Sequence, residues 1–378
     1  MIARDDKGGL GKVSFIGAGV SGCAAAARFV QRGAQVTLFE KSRFPREKVC
    51  GCCLGAAGLS ALDAIGVGQS VRELGVPTKF FRGIFQSSAS DSSAVADRGA
   101  VRQPVPGVCI PFRPGVAISR AKLDSHLLQF AVQSGVEVRQ PCEATIVAQS
   151  DEQVWIDGGM DSPEAFDLVV VAAGLTGRFR QKSAPDLGWI ETPQGPLGVS
   201  TQMSKSEAEE IGWQLDEGEI QMHCGRDGYI GIVRLPDGGL DLAAAIHPRR
   251  KLNSATGGGR RAIQTQMLSL LLGSGRFSWS QARQLERWFL GDAQWQTTPP
   301  LRRKRVSGKG RVVAIGDAAG YVEPLTGEGM TWGIESGLAV ADFWALYRLT
   351  QLTPNGVGDF GAHWDSQAVT FQNRRRQL

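Results

Sequence analysis

Apolar residues are distributed along the chain in two distinct rhythms. Nearly continuous apolar runs at residues 12–17, 35–40, 168–173 and 311–315 predict strands covered on both faces, as in the interior of a parallel sheet. Residues 20–32, rich in alanine and closed by Gly33, predict a helix between the first two, which makes a β-α-β unit. A second helix is predicted over 121–134, stopped by Gly135, with strands at 136–139, 143–149 and 153–156. Strand-like runs at 229–235 and 240–246 and a helical stretch at 263–272 predict a second, sheet-based domain. After the strand at 311–315 a glycine-rich loop leads into a helix over 331–349. The Ser/Ala/Asp-rich segment 87–99 and the triple-glycine segment within 251–261 read as exposed loops.

The first strand-to-helix junction carries Gly17-Ala18-Gly19-Val20-Ser21-Gly22, a G-x-G-x-x-G turn. Gly17 allows the tight turn, Gly19 lets the backbone approach a pyrophosphate, and Gly22 lets helix pack on strand. The helix N-terminus then offers free N–H groups and the positive end of its dipole to phosphates. Glu40, followed by Lys41, ends the next strand, where a carboxylate can accept both ribose hydroxyls and would repel a 2′-phosphate. This unit predicts a dinucleotide site without choosing between NAD and FAD.

Charge and cysteine usage narrow the setting. Net charge is +5, with basic runs at 249–251, 302–305 and 374–376, read as solvated surface that could also meet anionic head groups. No nucleic-acid reader motif accompanies them. Seven cysteines, an odd number, form no secreted-type framework, so reduced thiols are expected. The run Cys50-Gly51-Cys52-Cys53 lacks zinc-site spacing, and no metal is expected. No stretch approaches the roughly 20 apolar residues of a membrane span, and the first residues are charged rather than an apolar leader. The expected location is cytoplasmic, with peripheral membrane contact as an option.

The block from Arg311 through Gly316-Asp317, Pro324 and Gly327-Glu328-Gly329-Met330 resembles the second flavin motif of the superfamily of geranylgeranyl reductases and aromatic-ring hydroxylases. The resemblance runs over roughly residues 12–350 and implies FAD. Its fold would be α/β: a Rossmann-like FAD-binding domain of the GR2/hydroxylase type, built from 1–78, 107–185 and 290–378, with a second mixed β-sheet substrate domain from 79–106 and 186–289. In that family the aspartate, here Asp317, holds the ribityl and pyrophosphate region, and the loop 327–330 runs beside the isoalloxazine ring. A helix N-terminus there would stabilise negative charge on the reduced ring. Ile118-Ser119-Arg120 with Leu123-Asp124 resembles a family segment whose arginine lies near FAD. Phe44 to Gly51 resembles the region in which prenyl reductases carry a Cys-Gly pair close to the flavin. The resemblance thus makes Arg46 and Arg120 contact candidates and Cys50 a candidate to tune the ring or assist proton delivery.

Two departures bear on the reaction. Ala173, before Gly174, stands where ring hydroxylases place an aspartate. Of the prenyl-reductase substrate stretch only Tyr229 and Pro236 remain, which leaves Tyr229 as pocket lining or sheet core. The expected activity is reduction of a C=C bond in an isoprenoid or lipid-like hydrophobic small molecule, with NAD(P)H or ferredoxin as donor. The alternatives are a monooxygenase acting on an aromatic or polyketide-like ring, and a flavoprotein that binds lipid or a partner enzyme without turnover. A flavin halogenase fits less well, since no W-x-W-x-I-P stretch occurs, and Lys79 reads as a surface strand residue.

Overall fold

The computed structural model describes residues 9–86, 107–182, 187–247, 258–322, 327–350 and 359–376. The expected loop at 87–99, most of the one at 251–261, the 249–251 basic run and Pro324 lie outside them.

The apolar runs pair as their composition demands. Lys12–Ile16 lies between Gln35–Phe39 and Leu168–Val171, flanked by Glu137–Arg139 and Val312–Ala314, all parallel. Gly308–Lys309 closes the edge of this six-stranded sheet in antiparallel pairing. Alternate residues serve opposite cores. Val13, Phe15, Val36, Leu38 and Val170 pack under helices Val20–Gln31, Arg120–Gln133 and Gly329–Thr350. Ile16, Phe39, Val169 and Val171 pack beneath a small four-stranded sheet that includes Thr145–Gln149 and Val154–Asp157. Both faces being covered is why these strands read as unbroken apolar runs.

A nine-stranded mixed sheet forms the other half, in the order Gly320–Tyr321, Gln296–Arg305, Trp189–Met203, Leu240–Ile246, Gly228–Arg234, Glu219–Gly225, Val76–Phe85, Val108–Ala117 and Cys53–Leu54. One face is sealed by Ile230, Ile232, Leu240, Leu242 and Ala244 against the helices Lys205–Ile211, Gly258–Leu272 and Trp279–Arg287. Residues of the opposite parity, Tyr229, Gly231, Val233, Ala243 and Ala245, line a cavity facing the parallel sheet. The strands come from segments on both sides of the boundaries expected at 78/79, 106/107, 185/186 and 289/290, because the chain crosses between the two sheets repeatedly.

The basic run 302–305 is a correction to the surface reading. Strand alternation turns Arg303 and Arg305 inward, 3% and 6% exposed. Arg303 donates to the carbonyls of Leu175 and Pro300, and Arg305 donates to the Gly177 carbonyl at 2.8 Å and covers the Trp189 ring at 4.1 Å. The long side chains therefore reach from the large sheet to the turn that follows the strand Leu168–Val171.

Candidate functional site

The first glycine-rich turn is fixed by contact. Gly17 has φ +107°, and a Cβ there would stand 2.6 Å from the Ala172 carbonyl oxygen. At Gly22 a Cβ would meet the Gly17 oxygen at 2.0 Å, so helix and turn interlock. Gly19 is the N-cap of Val20–Gln31 and gives it no side-chain cap, leaving the first N–H groups aimed at the cavity.

Three cations gather at that helix end. A Cβ on Gly19 would lie 3.2 Å from Lys48 Nζ and 4.0 Å from the Nη2 atoms of both Arg46 and Arg120. Lys48 is pulled down from the ordinary 10.5 to about 8, first by burial and then by Arg120. Like charges held together against the positive end of a dipole fit an anion placed among them. Arg46 Nε and Thr331 Oγ1, on the lining of the same cavity, are buried without hydrogen-bond partners. The arrangement fits the diphosphate of FAD.

Glu40 ends its strand nearly buried, at 4% exposure. Its Oε2 accepts from the Ala18 N–H at 2.8 Å and from Arg46 Nη2 at 3.1 Å, and Oε1 accepts from the Ser42 N–H at 2.8 Å. The carboxylate is thus held at the turn, beside cavity-lining Lys41. Arg120 opens its helix after the Ser119 cap and makes a two-pronged pair with fully buried Asp124, both bonds 2.8 Å.

The second glycine-rich turn meets the first through Ser21. Gly316, φ +57°, donates its N–H to Ser336 Oγ at 2.9 Å, and a Cβ there would stand 2.5 Å from Ser21 Oγ. Gly333, one turn into Gly329–Thr350, would meet the same oxygen at 2.3 Å. Asp317, Gly327, Glu328, Gly329 and Met330 line the cavity that Gly17, Gly19, Val20 and Ser21 line from the other side. Ala18, Gly22 and Gly316 stand behind this wall as packing positions. The cavity measures about 1230 Å³. That exceeds the roughly 300–1,000 Å³ of a usual small-molecule pocket, leaving space for a second molecule beside a dinucleotide.

Cys50 and Tyr229 line the same cavity. The Cys50 thiol is drawn down to about 6, chiefly by its hydrogen bond from Cys52, and further by Arg120 against the opposing effect of burial. Lys79 lies away from the cavity lining, paired with Glu217 at 2.8 Å and half-exposed.

Lys48 and the buried Asp124 are the members that sequence reasoning passed over. Asp124 had a signal in its i, i+4 spacing from Arg120. Lys48 had only its closeness to Arg46, which reads equally well as solvated charge. It also sets a pH dependence. The folded value near 8 lies below the unfolded one near 10.5, so folded protein binds fewer protons between them. The penalty is complete below pH 8 and vanishes as pH rises through the unfolded value. Ligand-free protein should therefore gain stability between about pH 8 and 10.5, and Lys48→Met should flatten that slope in urea titrations. An unchanged slope would show that Lys48 is solvated.

Comparison with known proteins agrees with this architecture. The family model of the FAD binding domain matches residues 11–161. A menaquinone reductase of Mycobacterium tuberculosis is 24% identical over 92% of the chain and 79% of its own length. A kynurenine 3-monooxygenase of Xanthomonas campestris is 26% identical over 87% of the chain and 71% of its own length. Among solved structures, the flavin-dependent halogenase CmlS superposes with a TM-score of 0.67 at 16% identity over 96% of the chain, which spans 62% of that enzyme. The last likeness is one of fold. With the matched domain, the shared fold and the enzymes it resembles, the chain is an FAD-dependent oxidoreductase.

Proposed function

We propose that the protein uses FAD to reduce a carbon–carbon double bond in an isoprenoid or other lipid-like substrate. The observation that carries this reading is the wall opposite the glycine-rich turns, where Phe81, Phe112, Ile220, Met222 and Leu301 make an apolar surface large enough for a hydrophobic molecule. Ile110 belongs to that wall and is still 51% exposed, with Phe85 and Val108 nearly as open. This rim suits a substrate delivered from a lipid surface. Among the described residues no helix is long and apolar enough to cross a membrane. The relative named menaquinone reductase supports the same reading.

In this reading Lys48, Arg46, Arg120 and the N-terminus of Val20–Gln31 would bind the diphosphate, Glu40 would take the ribose, and Asp317 would hold the ribityl region. The N-terminus of Gly329–Thr350, which lines the cavity, would favour the negative charge that a bound flavin gains on reduction. Bound FAD supplies hydride transfer. The apolar wall excludes water and orients the double bond, and solvent supplies the proton. NAD(P)H would visit the cavity transiently, or a ferredoxin would deliver electrons from outside.

Similarity to a kynurenine 3-monooxygenase favours ring hydroxylation as the second reading. One experiment separates them. Protein reduced anaerobically is mixed with a prenyl-chain quinone without oxygen, and separately with oxygen and an aromatic acid. Reoxidation by the quinone with a saturated product is expected. Substrate-dependent oxygen incorporation would replace this reading with hydroxylation, and reoxidation by neither would leave a binding role.

A further inference from the structure

The hairpin of Val76–Phe85 and Val108–Ala117 has two unlike faces, because side chains alternate along each strand. Arg82, on the face turned from the cavity, is paired with Glu219 at 2.6 Å and Asp216 at 2.8 Å. On the cavity face Phe81 stands opposite Ile110 and Gly83 opposite Val108. A Cβ on Gly83 would lie 3.2 Å from the Phe81 ring and 3.7 Å from the Phe85 ring, so these apolar side chains adjoin. Phe81 and Ile110 line the cavity, while Phe85, Val108 and Ile110 are 48%, 49% and 51% exposed. The wall of the cavity therefore runs out onto the surface as an apolar strip.

Two cations bracket the strip. Arg113, exposed, lines the cavity beyond Ile110 and Phe112. Arg276, exposed after the helix Gly258–Leu272, reaches the other end, its Nη2 3.7 Å from the place of a Cβ on Gly107. Among the described residues neither guanidinium is paired with a carboxylate, unlike Arg82. Among the described strands only Cys53–Leu54 pairs with the outer edge of Val108–Ala117, at Val116 and Ala117. The rest of that strand carries Pro111 and Pro114, which have no N–H to offer, and a register shift opposite Thr78 and Phe80. Prolines and bulges on an edge oppose the addition of a further strand. Three half-open side chains also fall far short of the roughly 800 Å² that each partner buries in a stable protein complex. An apolar strip between unpaired cations, its strand edge blocked, matches a fluid surface that offers hydrocarbon and negative charge better than it matches a polypeptide.

We propose that this hairpin docks the protein on an anionic lipid bilayer: Phe85, Val108 and Ile110 enter the boundary between head groups and acyl chains, Arg113 and Arg276 meet lipid phosphates, and the cavity mouth opens toward the hydrocarbon. The proposal rests on the reading of a lipid-like substrate, which such a mouth admits without passage through water.

The test is sedimentation of the FAD-loaded protein, without substrate, with vesicles of phosphatidylcholine and phosphatidylglycerol in equal parts and with vesicles of phosphatidylcholine alone. Association with the anionic vesicles is expected, weakened by salt. Val108→Asp combined with Ile110→Asp should lower that affinity by about tenfold or more, the scale of two partly buried aliphatic side chains. Arg113→Ala and Arg276→Ala should each lower it by about fivefold, the scale of one cation at a charged bilayer, and leave binding to phosphatidylcholine alone unchanged. Leu346→Asp combined with Leu349→Asp, at an apolar pair on Gly329–Thr350 that is 57% and 63% exposed, should change nothing. Unaltered flavin content and urea midpoint show that each variant is folded. No association of the unaltered protein, full association of the Val108 and Ile110 double variant, or loss in the Leu346 and Leu349 double variant would each overturn the proposal. Equal binding to both vesicle types would overturn it as well, because the arginines would then have no anionic partner. So would a dimer in lipid-free solution that Val108→Asp abolishes, since the face would then belong to a second copy. Oxidation of the anaerobically reduced protein by a detergent-solubilised prenyl quinone reads the reduction separately, so that vesicle binding can fail while that reading stands, and the reverse.

Discussion

Asp317→Ala is expected to purify largely as colourless apoprotein, whereas Glu40→Ala should keep FAD more weakly than the unaltered chain. Asp317 sits in the one-turn helix Gly316–Ala318, whose start is locked by the positive φ of Gly316 and its bond to Ser336. Its carboxylate therefore enters the cavity from an element with little freedom to adjust. Glu40 differs, because its oxygens already bind Ala18, Ser42 and Arg46. Removing it loses the ribose acceptor but releases Arg46 toward the diphosphate, a partial compensation. A hydrogen bond to a charged group contributes about 1.5–3 kcal/mol, so each lost contact weakens retention by about ten- to a hundredfold. The ratio of flavin to protein absorbance reads the result directly. A full yellow complement in Asp317→Ala would show that this turn does not hold the cofactor.

Arg120→Ala should be among the most destabilising single changes. The guanidinium is the partner of a carboxylate with no solvent exposure, and its removal leaves Asp124 charged and buried. Breaking such a pair from one side costs about 3–5 kcal/mol, a large share of the roughly 5–15 kcal/mol that holds a typical fold together. The urea midpoint should fall accordingly, and the double change Arg120→Met with Asp124→Leu should recover much of it, because no orphaned charge remains. If the double variant were no more stable than the single one, the loss would lie in packing rather than in the unpaired carboxylate.

The parts of the molecule legible in the sequence are those set by local rules. The β-α-β unit and Leu240–Ile246 follow from apolar runs and glycine stops within a residue or so. The helices Lys205–Ile211 and Trp279–Arg287 escaped notice although each begins with a capping box, Ser204 with Glu207 and Ser278 with Gln281, a spacing that was there to be read. The long strand Trp189–Met203 was illegible for a different reason. Its register slips four times against Gln296–Arg305, and each slip breaks the two-residue alternation by which a strand is recognised. Gly19 and Gly329 face one cavity as their motifs imply. The convergence of Lys48 on that turn depends on tertiary placement that no local spacing encodes.

The inward arginines of Gln296–Arg305 have a mechanical consequence. By bonding to the Leu175 and Gly177 carbonyls beside the cavity, they rivet the floor that supports the substrate to the floor that supports the nucleotide. A hinge that swung the two apart would have to strand two buried guanidinium groups at once. Opening of the cavity by separating the two sheets is thus opposed at the side where these arginines sit.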